Sequence, residues 1–216
     1  MPRIHCSVCG IASDQLAAPT VSPQFAPDLD TRPGEPLRST LPAWMQLCPN
    51  CGYAAPDLAY AAELVPNWVR TSDYRSLTDA FERHAWLLEQ LGYLADAGWI
   101  TLQAAWNHED GNDLDAARRC RRKAIRLFQA SKAAGQDFLD TPAEELALAV
   151  DILRRIGEFE AAAETIRIAL QEEELPEMLE AVLRFQTGLV QRRDTGRHTL
   201  DEVPRGPAGE KPVRLT

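Results

Sequence analysis

Two short cysteine pairs, Cys6/Cys9 and Cys48/Cys51, constrain this chain more than any other feature. Each pair encloses two residues, and each second cysteine is followed directly by a glycine, Gly10 or Gly52. A Cys-x-x-Cys knuckle presents two sulfurs to one ion while backbone amides face them, and glycine suits the tight turn this needs. Two such knuckles complete the tetrahedral set of thiolates that a borderline-soft cation takes in a structural site. Cys6, Cys9, Cys48 and Cys51 are therefore the expected metal ligands, with Zn2+ in a structural role. A catalytic metal needs an open coordination position, and four cysteines leave none.

Iron fits the same thiolates, and geometry alone does not separate it from zinc; Cys48-Pro49-Asn50-Cys51-Gly52-Tyr53 also looks like the knuckle of rubredoxin. The 38 residues between Cys9 and Cys48 form a long insertion, yet loop-closure entropy grows only logarithmically with length. Redox-active dithiols are disfavoured, because neither pair sits at a strand-to-helix junction of a βαβ pattern. His5, next to Cys6, either replaces a ligand, supports the site from outside the ligand set, or is an ordinary exposed residue.

Composition matters mainly for what surrounds these knuckles. Six prolines fall between Pro19 and Pro42, and residues 1–56 show no helical periodicity. Such a segment buries too little apolar surface to fold unaided, so a metal staple is what makes it foldable. From Pro56 onward, alanine, leucine, glutamate and arginine recur at the 3.6-residue period of helices. Ser76-Leu77-Thr78-Asp79 reads as a helix start and Gly92 as its end; a second helix runs over about 93–109, punctuated by Gly111-Asn112. Thr141-Pro142-Ala143-Glu144 reads as a capping box with Gly157 as the stop, and Pro176 opens a further helix.

The expected architecture is mainly α. A zinc-ribbon-like cysteine module over 1–56 precedes a tetratricopeptide-like antiparallel helical domain over 57–193, and 194–216 is a disordered tail. The repeat rests on Asn112-Asp113-Leu114-Asp115-Ala116-Ala117, which lines up with Gly157-Glu158-Phe159-Glu160-Ala161-Ala162 at an offset of 45 residues. The usual tetratricopeptide period is about 34, and a plain antiparallel bundle satisfies the same packing rules.

The net charge of −9 argues against generic affinity for nucleic acid or anionic lipid. No apolar run of membrane-spanning length and no signal-peptide pattern occurs, so the chain reads as cytoplasmic. The one concentrated basic feature is Arg118 to Arg126, where Arg118, Arg119, Arg122, Lys123 and Arg126 share one helical arc. That arc is either a solvated face or a patch for phosphate or an acidic partner.

Arg121 falls on the apolar arc instead, so it needs an interior carboxylate or an acidic ligand in a groove. Cys120 shares that arc and reads as a small core hydrophobe. Trp86, Trp99, Trp106 and Tyr93 read as core aromatics. Neither a nucleophile elbow, a glycine-rich phosphate loop nor a metalloprotease helix motif is present, so catalysis is not expected. Binding of a protein or peptide partner is the expected role, with Arg118, Arg121, Arg122 and Trp106 as candidate contacts. The alternative is a nucleic-acid-associated zinc-ribbon protein using the Arg118–Arg126 face.

The combination of Cys6-Ser7-Val8-Cys9, of Trp44-Met45-Gln46-Leu47-Cys48-Pro49-Asn50-Cys51-Gly52-Tyr53-Ala54-Ala55 and of Ala105-Trp106 resembles a bacterial family known as domain of unknown function 2225. The resemblance spans roughly residues 4 to 170. It implies the same cysteine module and repeat-like helices, and no activity. The family often carries a further cysteine between the knuckles; this chain has Phe25-Ala26-Pro27-Asp28-Leu29-Asp30 there, so no role for that cysteine carries over.

Overall fold

The computed structural model describes residues 1–172 and 175–204, and it is mainly helical, with a small cysteine-bearing region at the N-terminus. Strands β1 (Arg3–His5) and β2 (Ala12–Asp14) form one antiparallel hairpin, and β3 (Gln46–Leu47) with β4 (Ala54–Ala55) forms another. The helices are α1 (Val65–Trp68), α2 (Ser72–Ser76), α3 (Ala80–Gln90), α4 (Leu94–Asp110), α5 (Leu114–Ala133), α6 (Pro142–Arg155), α7 (Phe159–Ala169) and α8 (Glu177–Gln191). Among the described residues, no helix is long and apolar enough to cross a membrane.

The chain forms two compact units. The first comprises Met1–Phe25 and Arg32–Phe138; the second comprises Ala26–Thr31 and the chain from Leu139 onward. The expected boundary between residues 56 and 57 is therefore not a boundary of packing. Cys6, Cys48, Tyr53 and Ala55 share one apolar cluster with Leu58, Val65, Val69, Tyr74 and Leu87. Hairpins this short have no interior of their own, so they borrow one from α1, α2 and α3.

Helix ends follow local chemistry closely. Gly92, Asn112, Gly135, Gly157 and Arg193 all have positive φ. Each turn closes with the same pair of backbone bonds, as in Tyr93 N–H to the Leu88 carbonyl and Gly92 N–H to the Glu89 carbonyl. This is the Schellman ending, which satisfies carbonyls the last turn would leave unpaired. Asn112 and Gly157, the aligned positions of the 45-residue offset, occupy the same place in the α4/α5 and α6/α7 turns. The capping box at Thr141 and Glu144 is present. The start of α3 differs from expectation: Asp79, not Ser76, caps it by accepting from the Glu82 N–H, while Ser76 ends α2. Leu77 is extended and breaks the helix between them.

In the first unit, α4 packs against both α3 and α5. Buried alanines, among them Ala97, Ala104, Ala105, Ala117 and Ala124, allow the close approach. Gln136 locks the α4/α5 hairpin, its Oε1 accepting from the Leu94 and Ala95 N–H groups and its Nε2 donating to the Gly92 carbonyl. Gly98 meets Phe128 so closely that an added Cβ would sit 2.6 Å from the ring. Gly98→Ala gains up to about 1 kcal/mol of helix propensity, but forcing apart a packed aromatic costs about 1–3 kcal/mol. The clash wins, and thermal unfolding is expected to register a net loss.

In the second unit, α6 packs against α7 and α8 around Val150, Ala162, Ile166 and Leu183. Asp30 is fully buried and accepts from Arg155 Nη1 at 2.8 Å. Arg154, also fully buried, reaches Asp151 at 2.6 Å and the carbonyls of Asp194 and Gly196 at 2.7 and 2.8 Å. The bonds of Arg154 to Asp194 and Gly196 correct the expected tail over 194–216. Residues 194–204 are folded into the second unit, where Leu29 N–H donates to the His198 carbonyl, Leu200 N–H to the Pro27 carbonyl, and Val203 is buried. The rest of that expected tail, 205–216, lies outside the described residues.

Candidate metal centre

Each knuckle occupies the turn of one hairpin, and the two are built alike. In the first, Cys6 N–H donates to the Ile11 carbonyl and Gly10 N–H to the Cys6 carbonyl; in the second, Cys48 N–H donates to the Tyr53 carbonyl and Gly52 N–H to the Cys48 carbonyl. Gly10 and Gly52 both have φ of 75°, a left-handed conformation that a side chain disfavours. The turn demanded by two sulfurs on one ion is thus already present in the backbone.

The hairpins bring all four sulfurs together. Cys6 Sγ lies 3.7 Å from Cys51 Sγ, and Cys9 Sγ lies 3.6 Å from Cys48 Sγ. All four sulfurs fall within 4.8 Å of one another. A tetrahedron with metal–sulfur bonds near 2.3 Å has edges of about 3.8 Å. The thiols match that figure, so Cys6, Cys9, Cys48 and Cys51 are placed to hold one metal ion. Burial raises the Cys6 and Cys51 thiols above their ordinary range. At the rim, burial pushes Cys9 the same way, but hydrogen bonds from the Asn50 side chain and the Ile11 backbone outweigh it and hold the thiol at about 6. A bound cation removes the conflict, because it takes all four sulfurs as thiolates.

Residues outside the ligand set hold the second knuckle, and motif spacing did not point to them. Tyr74 is fully buried; its hydroxyl donates to the Gly52 carbonyl at 3.0 Å and accepts from the Ala54 N–H at 3.1 Å. Arg83 donates to the same Gly52 carbonyl at 3.0 Å and to the Leu77 carbonyl at 2.8 Å. His84 Nδ1 lies 3.2 Å from the Ala54 carbonyl, and burial lowers its pKa, which favours the neutral ring with Nδ1–H donating. Trp86 packs edge-on against Trp68 and Tyr74. The only available sequence signal is the run of α2 and α3 positions that face the knuckle. Tyr74→Phe removes both bonds of the hydroxyl and leaves the Ala54 N–H unsatisfied, which costs about 1–3 kcal/mol. The expected readout is a lower melting temperature with metal content unchanged.

The other singled-out residues are distributed differently. His5 is exposed. Arg121 is 1% exposed and pairs with Glu109 through Nη1 at 2.7 Å and Nη2 at 3.1 Å, so the interior carboxylate from the neighbouring helix is the one realised. Trp106 is buried as well. Both side chains are buried and so not presented on the surface; Arg118 and Arg122 are exposed. Arg119 and Arg126 also face solvent, while Lys123 is half-buried against Glu89 at 2.8 Å. Trp99 stacks edge-on with Phe128 and donates from Nε1 to the Phe138 carbonyl. Tyr93, by contrast, is exposed, because it stands in the α3/α4 turn.

Cys120 is buried as expected, and burial together with Glu82 and Asp79 pushes its thiol up to about 12. It is thus not an activated nucleophile on its own. No protein-family description, no curated protein and no solved structure matches the chain.

Proposed function

We propose that the chain is a structural zinc protein whose helices serve as a scaffold for a protein or peptide partner, acting by binding and not by catalysis. The observation that carries this reading is a cysteine set that supplies all four ligands and shares its core with helices. The closed tetrahedron of thiolates suits a structural zinc ion; iron fits the same four sulfurs, and metal analysis of the purified protein decides between them. The tetratricopeptide-like reading of the helix pairs rests on the aligned segments that begin at Asn112 and Gly157, each placed in the turn of a helical hairpin.

Along α8, a groove of about 510 Å3 is lined by Ala181, Phe185, Gly188 and Pro204 and edged by Glu177, Glu180, Arg184 and Arg192. Its apolar floor with a charged rim suits an amphipathic peptide. A photo-crosslinker at residue 181 should trap one discrete protein from cell extract, and Phe185→Glu should abolish the adduct. No adduct, or one indifferent to Phe185→Glu, overturns the reading.

The exposed arc of Arg119, Arg122 and Arg126 on α5 favours nucleic acid as a second reading. A gel shift that fades with salt and with Arg122→Glu supports it, and no shift at low salt removes it.

A further inference from the structure

Glu82 on α3, His108 on α4 and Cys120 on α5 converge inside the first unit, although no sequence motif links them. His108 Nε2 lies 2.8 Å from Glu82 Oε1. A donor atom of each of the three side chains lies within 4.8 Å of the others. We propose that these three side chains form a second metal site, one that takes a divalent transition ion of zinc-like softness and leaves one coordination position open.

The donor set is chemically suited to such an ion. One imidazole nitrogen, one carboxylate oxygen and one thiolate are the ligand types zinc accepts, and three protein ligands with a free fourth position is its pattern in open sites. The fourth position has somewhere to face. A cavity of about 230 Å3 is lined by Glu82, Cys120 and Thr101 from the inside and by Arg119, Lys123 and Arg126 at the rim. Bonds near 2.0–2.1 Å set nitrogen and oxygen donors about 3.3 Å apart, so the 2.8 Å pair opens by roughly half an ångström to admit an ion.

The surroundings also favour a cation. Asp79 stands behind Glu82, its Oδ1 accepting from the Glu82 N–H and its Oδ2 from Asn107 Nδ2 at 2.7 Å. That bond fixes the residue before His108, as groups behind a ligand do in metal sites. The positive rim opposes little of this. Lys123 is paired with Glu89, and Arg119 and Arg126 are exposed, where water screens them.

This site is separate from the four-cysteine centre and independent of the scaffold reading. The full-length protein should be equilibrated with buffered Zn2+, and its bound metal counted by native mass spectrometry. Two equivalents are expected for the wild type, the second removed by a mild chelator that spares the first. His108→Gln, which keeps a polar partner for Glu82, and Cys120→Ala, which keeps a small apolar side chain in the core, should each bind one equivalent, with the second site at least tenfold weaker. With cobalt(II), the wild type should show an additional thiolate charge-transfer band that Cys120→Ala loses while its helix content is unchanged. A single equivalent in the wild type overturns the proposal, and so does a second equivalent that survives both substitutions.

Discussion

Removal of metal from the four-cysteine centre is expected to collapse the two hairpins and loosen the cluster they share with α1, α2 and α3. Chelation and Cys48→Ser should act alike, because a tetrahedral site missing one thiolate binds far more weakly and leaves three converging sulfurs without a cation. Structural zinc supplies about 10–16 kcal/mol of apparent binding energy in finger peptides, comparable to the total stability of a folded domain. Tyr74, Trp68 and Trp86 pack in or against that cluster, so near-ultraviolet circular dichroism should lose its fine structure as metal leaves. Acidification should do the same, since protons compete with the metal for thiolates. A Cys48→Ser protein with unchanged metal content and melting would refute a structural centre.

The second large effect is expected at Asp30. Its carboxylate is fully buried and bonded to Arg155, itself 7% exposed. Asp30→Ala leaves a guanidinium in the interior without that partner, and breaking a buried pair from one side costs about 3–5 kcal/mol. Unfolding of the second unit should shift by roughly 10 °C or more. Asp30→Asn keeps an acceptor for Arg155 and should lose less. If Asp30→Ala melts like the wild type, the pair does not anchor the 26–31 segment to α6.

Neither Asp30 nor Tyr74 declares itself in the sequence. Asp30 lies in a proline-rich stretch without periodicity, and its partner is 125 residues away. The four ligands, by contrast, are written in spacing: two intervening residues and a following glycine prescribe a knuckle wherever they occur. Helix ends were legible for the same reason, since Gly92, Gly157 and the Thr141–Glu144 box act within one turn. The α3 start was displaced by three residues because Ser76 and Asp79 are both competent caps; the extended backbone at Leu77 ends α2 at Ser76 and leaves Asp79 to cap α3. The expected tail failed from residue 194 to 204 because glycine, proline and charge signal loop and not freedom; buried Arg154 and a backbone bridge between Asp28 and Thr199 hold that loop.

From its sequence alone, this chain determines a metal-ready pair of knuckles, a mainly helical body and the points at which most helices stop. These are local matters, decided by the stereochemistry of a few neighbouring residues. The tertiary structure alone decided that the knuckles share a core with α1 to α3, that Arg121 spends its charge on Glu109, and that Glu82, His108 and Cys120 meet. Such contacts depend on which helix faces meet, and that is settled by the burial of apolar surface over the whole unit.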